Sequence, residues 1–239
     1  MPDRRRHRGP HPEDATLFAR SKWSDIQTAT SHLSWLLSRD YAITSAVKLV
    51  GDRFGLDARQ RIAVQRSACS DSALERRARH QARSKDLVGS EVEIDGFNIL
   101  TTVEAGLAGG VLLRGRDGCL RDMASMHGSY RRVEETLPAL EIIGETLEAL
   151  QPSGCRWWLD RPVSNSGRVG KLIEEVASRR DWPWESQLAP DPDPHLSGSS
   201  HIVITADSVI LDRTSCWFNL VSLIFFDGGL GAWVVPIGG

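Results

Sequence analysis

Apolar positions along the chain change their spacing once. From Ser24 onward Ile26, Ala29, Leu33, Leu36 and Leu37 recur at helical intervals, which predicts an amphipathic helix. "SRDYAITSA" breaks that run before "AVKLVGDRFG", where Gly55 reads as a helix stop. "LDARQRIAVQRSACSD" follows, with Asp57 placed to cap a helix ahead of Ala58 and Ile62. Short helices joined by short turns predict a small helical module and a candidate helix-turn-helix. Residues 1–20, rich in Pro, Arg and His and without a period, predict an extended arm in front of it.

After "SKDLVGS" the grammar is that of strands. "EVEID", "GVLLRG", "CRWWLD", "HIVITAD" and "AWVVPI" are short apolar runs with β-branched or aromatic residues, bounded by Gly, Pro or Asp. Helical stretches are expected between them: a short one over 100–107, a long one over about 120–150, and one over 168–179. Strands alternating with helices predict an α/β domain with a mostly parallel sheet. The expected division is a basic helical module over 1–88 and an α/β domain over 89–239. "LAPDPDPHLSGSS", residues 188–200, is a loop by composition, its three prolines barring regular structure.

Composition narrows the class. A hydrophobic content of 41% in 239 residues is ordinary for a globular protein. The longest apolar run, "LVSLIFF", is too short to span a bilayer, and no apolar stretch follows the basic N-terminus, so a cytoplasmic protein without membrane association is expected. Cys69, Cys119, Cys155 and Cys216 lie far apart, which argues against a zinc ribbon or a disulfide scaffold. His7 and His11 stand four apart, but Gly9, Pro10 and Pro12 oppose the helix that would pair them.

The net charge of −2 conceals an asymmetry. Residues 1–90 carry 17 Lys and Arg against 10 Asp and Glu, and residues 91–239 carry 12 against 21, so a front of +7 meets a rear of −9. Such a division fits polyanion attraction at one end and cation binding at the other. Arg59, Arg61 and Arg66, followed by "LERRARHQAR", either contact a nucleic acid or form the solvated face of a helical bundle.

In an open α/β sheet, ligands bind beyond the carboxyl ends of the strands. Asp95 closes "EVEID", Asp160 closes "CRWWLD" and Asp207 closes "HIVITAD", with Asp212 one helical turn further on. Carboxylates held together raise one another's pKa unless a cation lies between them, and all-oxygen clusters suit Mg²⁺ or Mn²⁺. Each aspartate also has a plainer reading, as a helix cap or a turn residue.

Ser164, Asn165, Ser166 and Gly167 lie between a strand and a helix, where backbone N–H groups could hold a phosphate or simply begin a capped helix. The stretch departs from a P-loop, because Asn165 stands where its first glycine belongs and Leu172 follows Lys171. In "RGRDGCLRDMASMHGSYRRVEE", Asp117 and Asp122 are placed to approach the acidic cluster and Arg131 and Arg132 to meet a nucleic-acid backbone, with ion pairs on a helix face as the alternative. His127 in the same stretch is a candidate general base.

"EIDGFNIL" and "ITADSVILD" resemble the PIN-like nuclease superfamily, including its NYN branch. The chain as a whole resembles a prokaryotic domain-of-unknown-function family of the DUF434 type, in which a helical N-terminal part precedes "DGFN", "RDGCLRD", "LDRPVSNSG" and "D-S-x-x-L-D-R" segments. PIN-like similarity covers residues from about 91 onward. It implies a Rossmann-like sheet and a Mg²⁺- or Mn²⁺-dependent acidic site that hydrolyses RNA or DNA. By position, Asp95 would be the first-strand ligand, Asn98 a supporting polar residue, Asp160 an intermediate acid, and Asp207 with Asp212 the late acidic pair. Glu104 would match the helical acid.

The expectation is therefore a metal-dependent nuclease with Asp95, Asp160 and Asp207 on the metal and a nucleic acid as partner. A non-catalytic nucleic-acid-binding protein and a small-molecule phosphohydrolase are the alternatives.

Overall fold

The computed structural model describes residues 7–123, 128, 130–227 and 229–238; His127 lies outside the described residues. The chain opens with helices α1 (Asp14–Leu17), α2 (Trp23–Leu37), α3 (Ile43–Arg53), α4 (Ala58–Ser67) and α5 (Asp71–His80). Strand β1 (Glu91–Asp95) then runs straight into α6 (Gly96–Leu107), followed by β2 (Val111–Arg114), β3 (Leu120–Asp122), α7 (Thr136–Leu150), β4 (Gly154–Asp160) and α8 (Ser166–Arg180). The remainder is β5 (Trp184–Ala189), α9 (Asp193–Ser197), β6 (Ile202–Ile204), α10 (Ser208–Leu211), β7 (Trp217–Phe218), α11 (Leu220–Ser222) and β8 (Trp233–Val235).

Local chemistry explains the helix starts. Asp57 and Gln60 form a capping box at α4, the Asp57 N–H donating to Gln60 Oε1 at 3.1 Å. Ser70 Oγ accepts from the Ala73 N–H at 3.2 Å to open α5. In α2 the helical spacing of Ile26, Ala29 and Leu33 puts all three on one fully buried face.

Among the described residues, β1, β4, β5, β6 and β7 form a parallel sheet in the order β5-β4-β1-β6-β7. The chain builds outward from β1 through β4 to β5, then crosses back to lay β6 on the other side of β1. Strand order therefore reverses between β1 and β6, the position at which open α/β sheets leave a crevice. A second sheet, β3-β2-β8, joins β2 and β3 as an antiparallel hairpin and β8 parallel to β2.

The second sheet unites the two parts of the chain. Strand alternation turns Leu112 toward the large core with α6 and α7, while Val111 and Leu113 face a second core with Ile26, Leu33, Val50 and Val64 of α2–α4. An apolar run such as "VLL" is thus buried on both faces, which ties the basic helices to the α/β part.

Several expectations are corrected. The helix expected over 120–150 begins only at Thr136, because Asp117 and Gly118 turn the chain into a hairpin. Gly118 sits at φ +77°, a conformation that favours glycine. "GVLLRG" and "AWVVPI" are strands of the second sheet, not neighbours of β1. Trp184–Ala189 pairs with β4 as an edge strand, and α9 occupies part of the expected loop. The expected arm folds back: it contains α1, Asp14 is buried against Arg59, and Arg8 pairs with buried Glu104. The four cysteines are free thiols, and among the described residues no helix is long and apolar enough to cross a membrane.

Candidate functional site

The crevice between β1 and β6 is built by strand parity. Asp95 is level with Trp158 on β4, and Asp160 is two residues on, so both carboxylates belong to the same face of the sheet. Thr205, two residues past Val203 on β6, continues the alternation on that face. Its hydroxyl donates to Asp95 Oδ2 at 2.7 Å and accepts from the Asp207 N–H at 3.0 Å. One threonine therefore joins the two strand-to-helix junctions.

Asp207 begins α10 in a plain capping role, its Oδ1 accepting from Val209 N at 2.7 Å and Ile210 N at 3.4 Å. Asn98, in the first turn of α6, accepts from the Ala206 N–H at 2.9 Å through Oδ1, which fixes its amide at the crevice wall. Gly96 lets α6 start this close: a Cβ there would lie 2.6 Å from Leu159 Cδ2 and 2.7 Å from the Trp158 carbonyl oxygen. The glycine answers close approach to β4, not turn geometry.

Electrostatics single out Asp95. Its pKa is pushed up to about 7, first by burial, with the Thr205 hydroxyl opposing, and then by the like charges of Asp207, Asp193 and Asp160. Asp193 is itself raised by burial and then by Asp207, Asp191 and Asp160, with Arg213 opposing. Asp160 is raised by burial and by Asp191, against the hydrogen bond to its own backbone. Asp191 and Asp193 lie in the stretch expected to be a loop and were not foreseen as site residues; the D-P-D-P spacing was their only signal. Over this edge His195 of α9 stacks on Trp158, ring centres 4.7 Å apart.

Beside this acidic edge, on the α6 side, lies a cleft of about 310 Å³. Asn98, Thr101, Thr102, Asp122 and Asp207 line it with Phe97, Val209, Arg66 and Arg121. Asp122 Oδ2 accepts from Thr102 Oγ1 at 2.9 Å. Arg121 is buried and held by Asp117 and by the Ala206 carbonyl. Arg66 reaches in from α4, donating to the Asp122 carbonyl oxygen at 2.6 Å.

Other sequence-predicted residues lie in different surroundings. Asp117 is buried between Arg77 and Arg121; burial would raise its pKa, but the two guanidiniums hold it far below the usual carboxylate range. Asp212 accepts from Arg77 Nε at 2.7 Å. Glu104 is fully buried in a network with Arg8, Tyr130 and Thr136, and burial raises its pKa against their opposition. None of these three is among the leading charges acting on Asp95.

The expected phosphate loop is occupied with its own protein. Tyr130 N donates to Ser164 O at 3.2 Å, Ser164 N to Gly128 O at 3.1 Å, and Asn165 Nδ2 to Tyr130 O at 2.9 Å. Ser166 is buried, donating to the Arg161 carbonyl at 3.4 Å, and Gly167 follows it in the first turn of α8. Arg131 and Arg132 are exposed, and the Arg131 carbonyl accepts from Arg8 at 3.2 Å. In the helices, Arg59 pairs with buried Asp14 and Arg61 with exposed Asp52.

Residues 84–223 match the family described as "Domain of unknown function (DUF5616)". The chain belongs to this family. Residues 25–80 match a second description, "Protein of unknown function (DUF434)", so α2–α5 lie in one matched segment and the parallel sheet in the other. A relative in Methanocaldococcus jannaschii, named "Uncharacterized protein MJ0935", is 28% identical over 186 residues, covering 78% of this chain and 88% of its own length. No solved structure matches the chain.

Asp95, Asp160, Asp193 and Asp207 offer oxygen donors alone at this edge, the type of donor that hard cations prefer. Among the described residues, no group of three or more His, Cys, Asp or Glu side chains is arranged to hold a metal ion by itself.

Proposed function

We propose that the chain is a divalent-metal-dependent hydrolase of RNA or DNA phosphodiesters, with a Rossmann-like, PIN-like α/β fold in its second part. The observation that carries this reading is Asp95, at the end of the central strand where strand order reverses, raised to about 7 partly by three neighbouring carboxylates. Negative charge concentrated this way at a sheet's carboxyl edge is relieved by a cation. Asp95 and Asp207 would hold Mg²⁺ or Mn²⁺, with Asp160 and Asp193 contributing charge from further out. A bound ion supplies charge neutralisation at the phosphate and a more acidic water.

The protein's own residues do the positioning. Thr205 locks Asp95 to the Asp207 junction, and Asn98 ties α6 to the same junction through Ala206. The strand order β5-β4-β1-β6-β7 supports the Rossmann-like assignment, since it is the order of the first five strands in that doubly wound arrangement.

The test is a metal titration with full-length protein and single- and double-stranded RNA and DNA. Cleavage that depends on Mn²⁺ or Mg²⁺ and is lost in Asp95→Asn is expected. Protein that binds nucleic acid and cleaves none of the four substrates at any Mn²⁺ concentration overturns the hydrolase reading in favour of a non-catalytic binder.

A further inference from the structure

We infer that the Trp158–His195 stack at the carboxyl edge of the sheet is a platform for an unpaired nucleobase, which makes single-stranded nucleic acid the substrate class. This deepens the proposed function and rests on it for the placement of a phosphodiester beside Asp95. Trp158 is the register partner of Asp95 on the adjacent strand, with Asp160 two residues further along β4. Neighbouring strands lie about 4.8 Å apart, so the indole rises next to the crevice, from the same face as both carboxylates.

The His195 ring lies flat on that indole, with ring centres 4.7 Å apart and planes 8° from parallel. His195 is exposed while the indole covers one face of its imidazole, so its open surface is the opposite face and the ring edge. The ring is also held in place. Pro192 and Pro194 restrict the backbone in front of it at the start of α9, and Leu196 beside it is fully buried with Val203 and Ile210. Leu196 thus anchors α9 on the sheet, a task for which a flat, exposed ring is not needed. A rigid aromatic step beside a phosphodiester site suits a base, because stacking uses the π face and needs no cation where Asp160 and Asp193 concentrate negative charge. Bases inside a duplex are already stacked on both sides, so only an unpaired one can add the third layer.

His195→Ala removes the step, and His195→Phe keeps an aromatic ring without the imidazole nitrogens. Binding of full-length protein to labelled single-stranded oligoadenylates of RNA and DNA is measured by anisotropy over a salt series, with Ca²⁺ or with EDTA, beside a thermal melt. Each is compared with an abasic strand of the same length, which keeps the phosphates and has no bases, and with a duplex. His195→Ala is expected to weaken oligoadenylate binding about tenfold, within what one stacked base contributes. Its salt slope stays parental, because no phosphate contact is lost. On the abasic strand and the duplex the variant and the parent bind alike, and His195→Phe keeps parental affinity throughout.

If His195→Ala binds oligoadenylate as the parent does, or loses as much on the abasic strand, the platform is overturned while Mn²⁺-dependent cleavage still supports the hydrolase. If the base-dependent loss is found in a protein that cleaves nothing, the platform stands and the hydrolase reading falls. A parent that binds no single strand overturns the platform, whatever it does to a duplex. Should His195→Ala melt early, the comparison is made with His195→Leu, which covers the indole without offering a flat ring: a base-dependent loss supports the platform, and parental affinity overturns it.

Discussion

The carboxylates of the crevice and those of the interior are the same chemical group in opposite electrical company. Asp117, enclosed by Arg77 and Arg121, is held ionised; Asp95, beside Asp207, Asp193 and Asp160, is pushed up to about 7. Burial opposes ionisation at both places, so burial alone does not distinguish a structural acid from a site acid. The sign of the nearest charges does. Interior acids here have arginines within ion-pair distance, whereas the crevice acids meet mainly one another and the Thr205 hydroxyl.

The largest effect that would test this contrast is at Asp117. Asp117→Asn leaves buried Arg121 without its carboxylate partner and Arg77 with Asp212 alone, and a loss of about 3–5 kcal/mol is expected in urea denaturation. An unchanged midpoint would mean that the buried pairs are not formed in solution.

Asp95 is expected to behave in the reverse way as pH changes. Its folded pKa lies above its unfolded value near 3.8, so its contribution is most favourable below pH 4 and is lost as pH rises through 7. The ceiling on that loss is on the order of 4 kcal/mol, at about 1.4 kcal/mol per unit, and the partly open face of the residue reduces it. Asp95→Asn should therefore match the parent below pH 4 and exceed it in stability above pH 7. Asp117 has the opposite slope: its depressed pKa makes its contribution full above pH 4 and lost on acidification. Mn²⁺ at a hundred times its dissociation constant should stabilise the parent by about 2.7 kcal/mol and leave Asp95→Asn unmoved, a readout independent of turnover.

Gly96→Ala is expected to cost about 1–3 kcal/mol, because its methyl meets the Trp158 carbonyl, which cannot move without disturbing β4. A melt unaltered by the change would show that α6 does not begin so close to the strand. The smallest expected effect is at Asp207. Asp207→Ala loses the α10 cap at about 1 kcal/mol. Asp207→Ser keeps a capping oxygen and removes the charge, so Asp95 should titrate closer to the ordinary carboxylate range, as an NMR pH titration would record.

Much of the fold was legible in the chain. The period of Ile26, Ala29 and Leu33, the capping box at Asp57, and the apolar strands ending at Asp95 and Asp160 are local patterns with local causes. β3 and β5 were missed because their signals are weak: three residues after an Asp-Gly turn, and an edge strand alternating between half-buried and exposed positions. Glu104 and Asp212 had the right residue type and spacing for a site, but arginines distant in sequence, Arg8 and Arg77, engage them. Asp193 and Thr205 were overlooked for the converse reason, since beyond the D-P-D-P spacing at Asp193 nothing nearby in the sequence marks what β1 and β6 bring beside them.

Short-range physics, carried by side-chain period, capping oxygens and turn glycines, was written in the sequence alone: it determined the helical front, the strand-rich rear and the aspartates that end β1 and β4. Which acids face one another and which face arginines was decided only when β6 crossed back beside β1 and the basic helices packed on the second sheet. Coulomb interactions act across space, and residues 66, 98 and 207 come to line one cleft only through those long-range contacts.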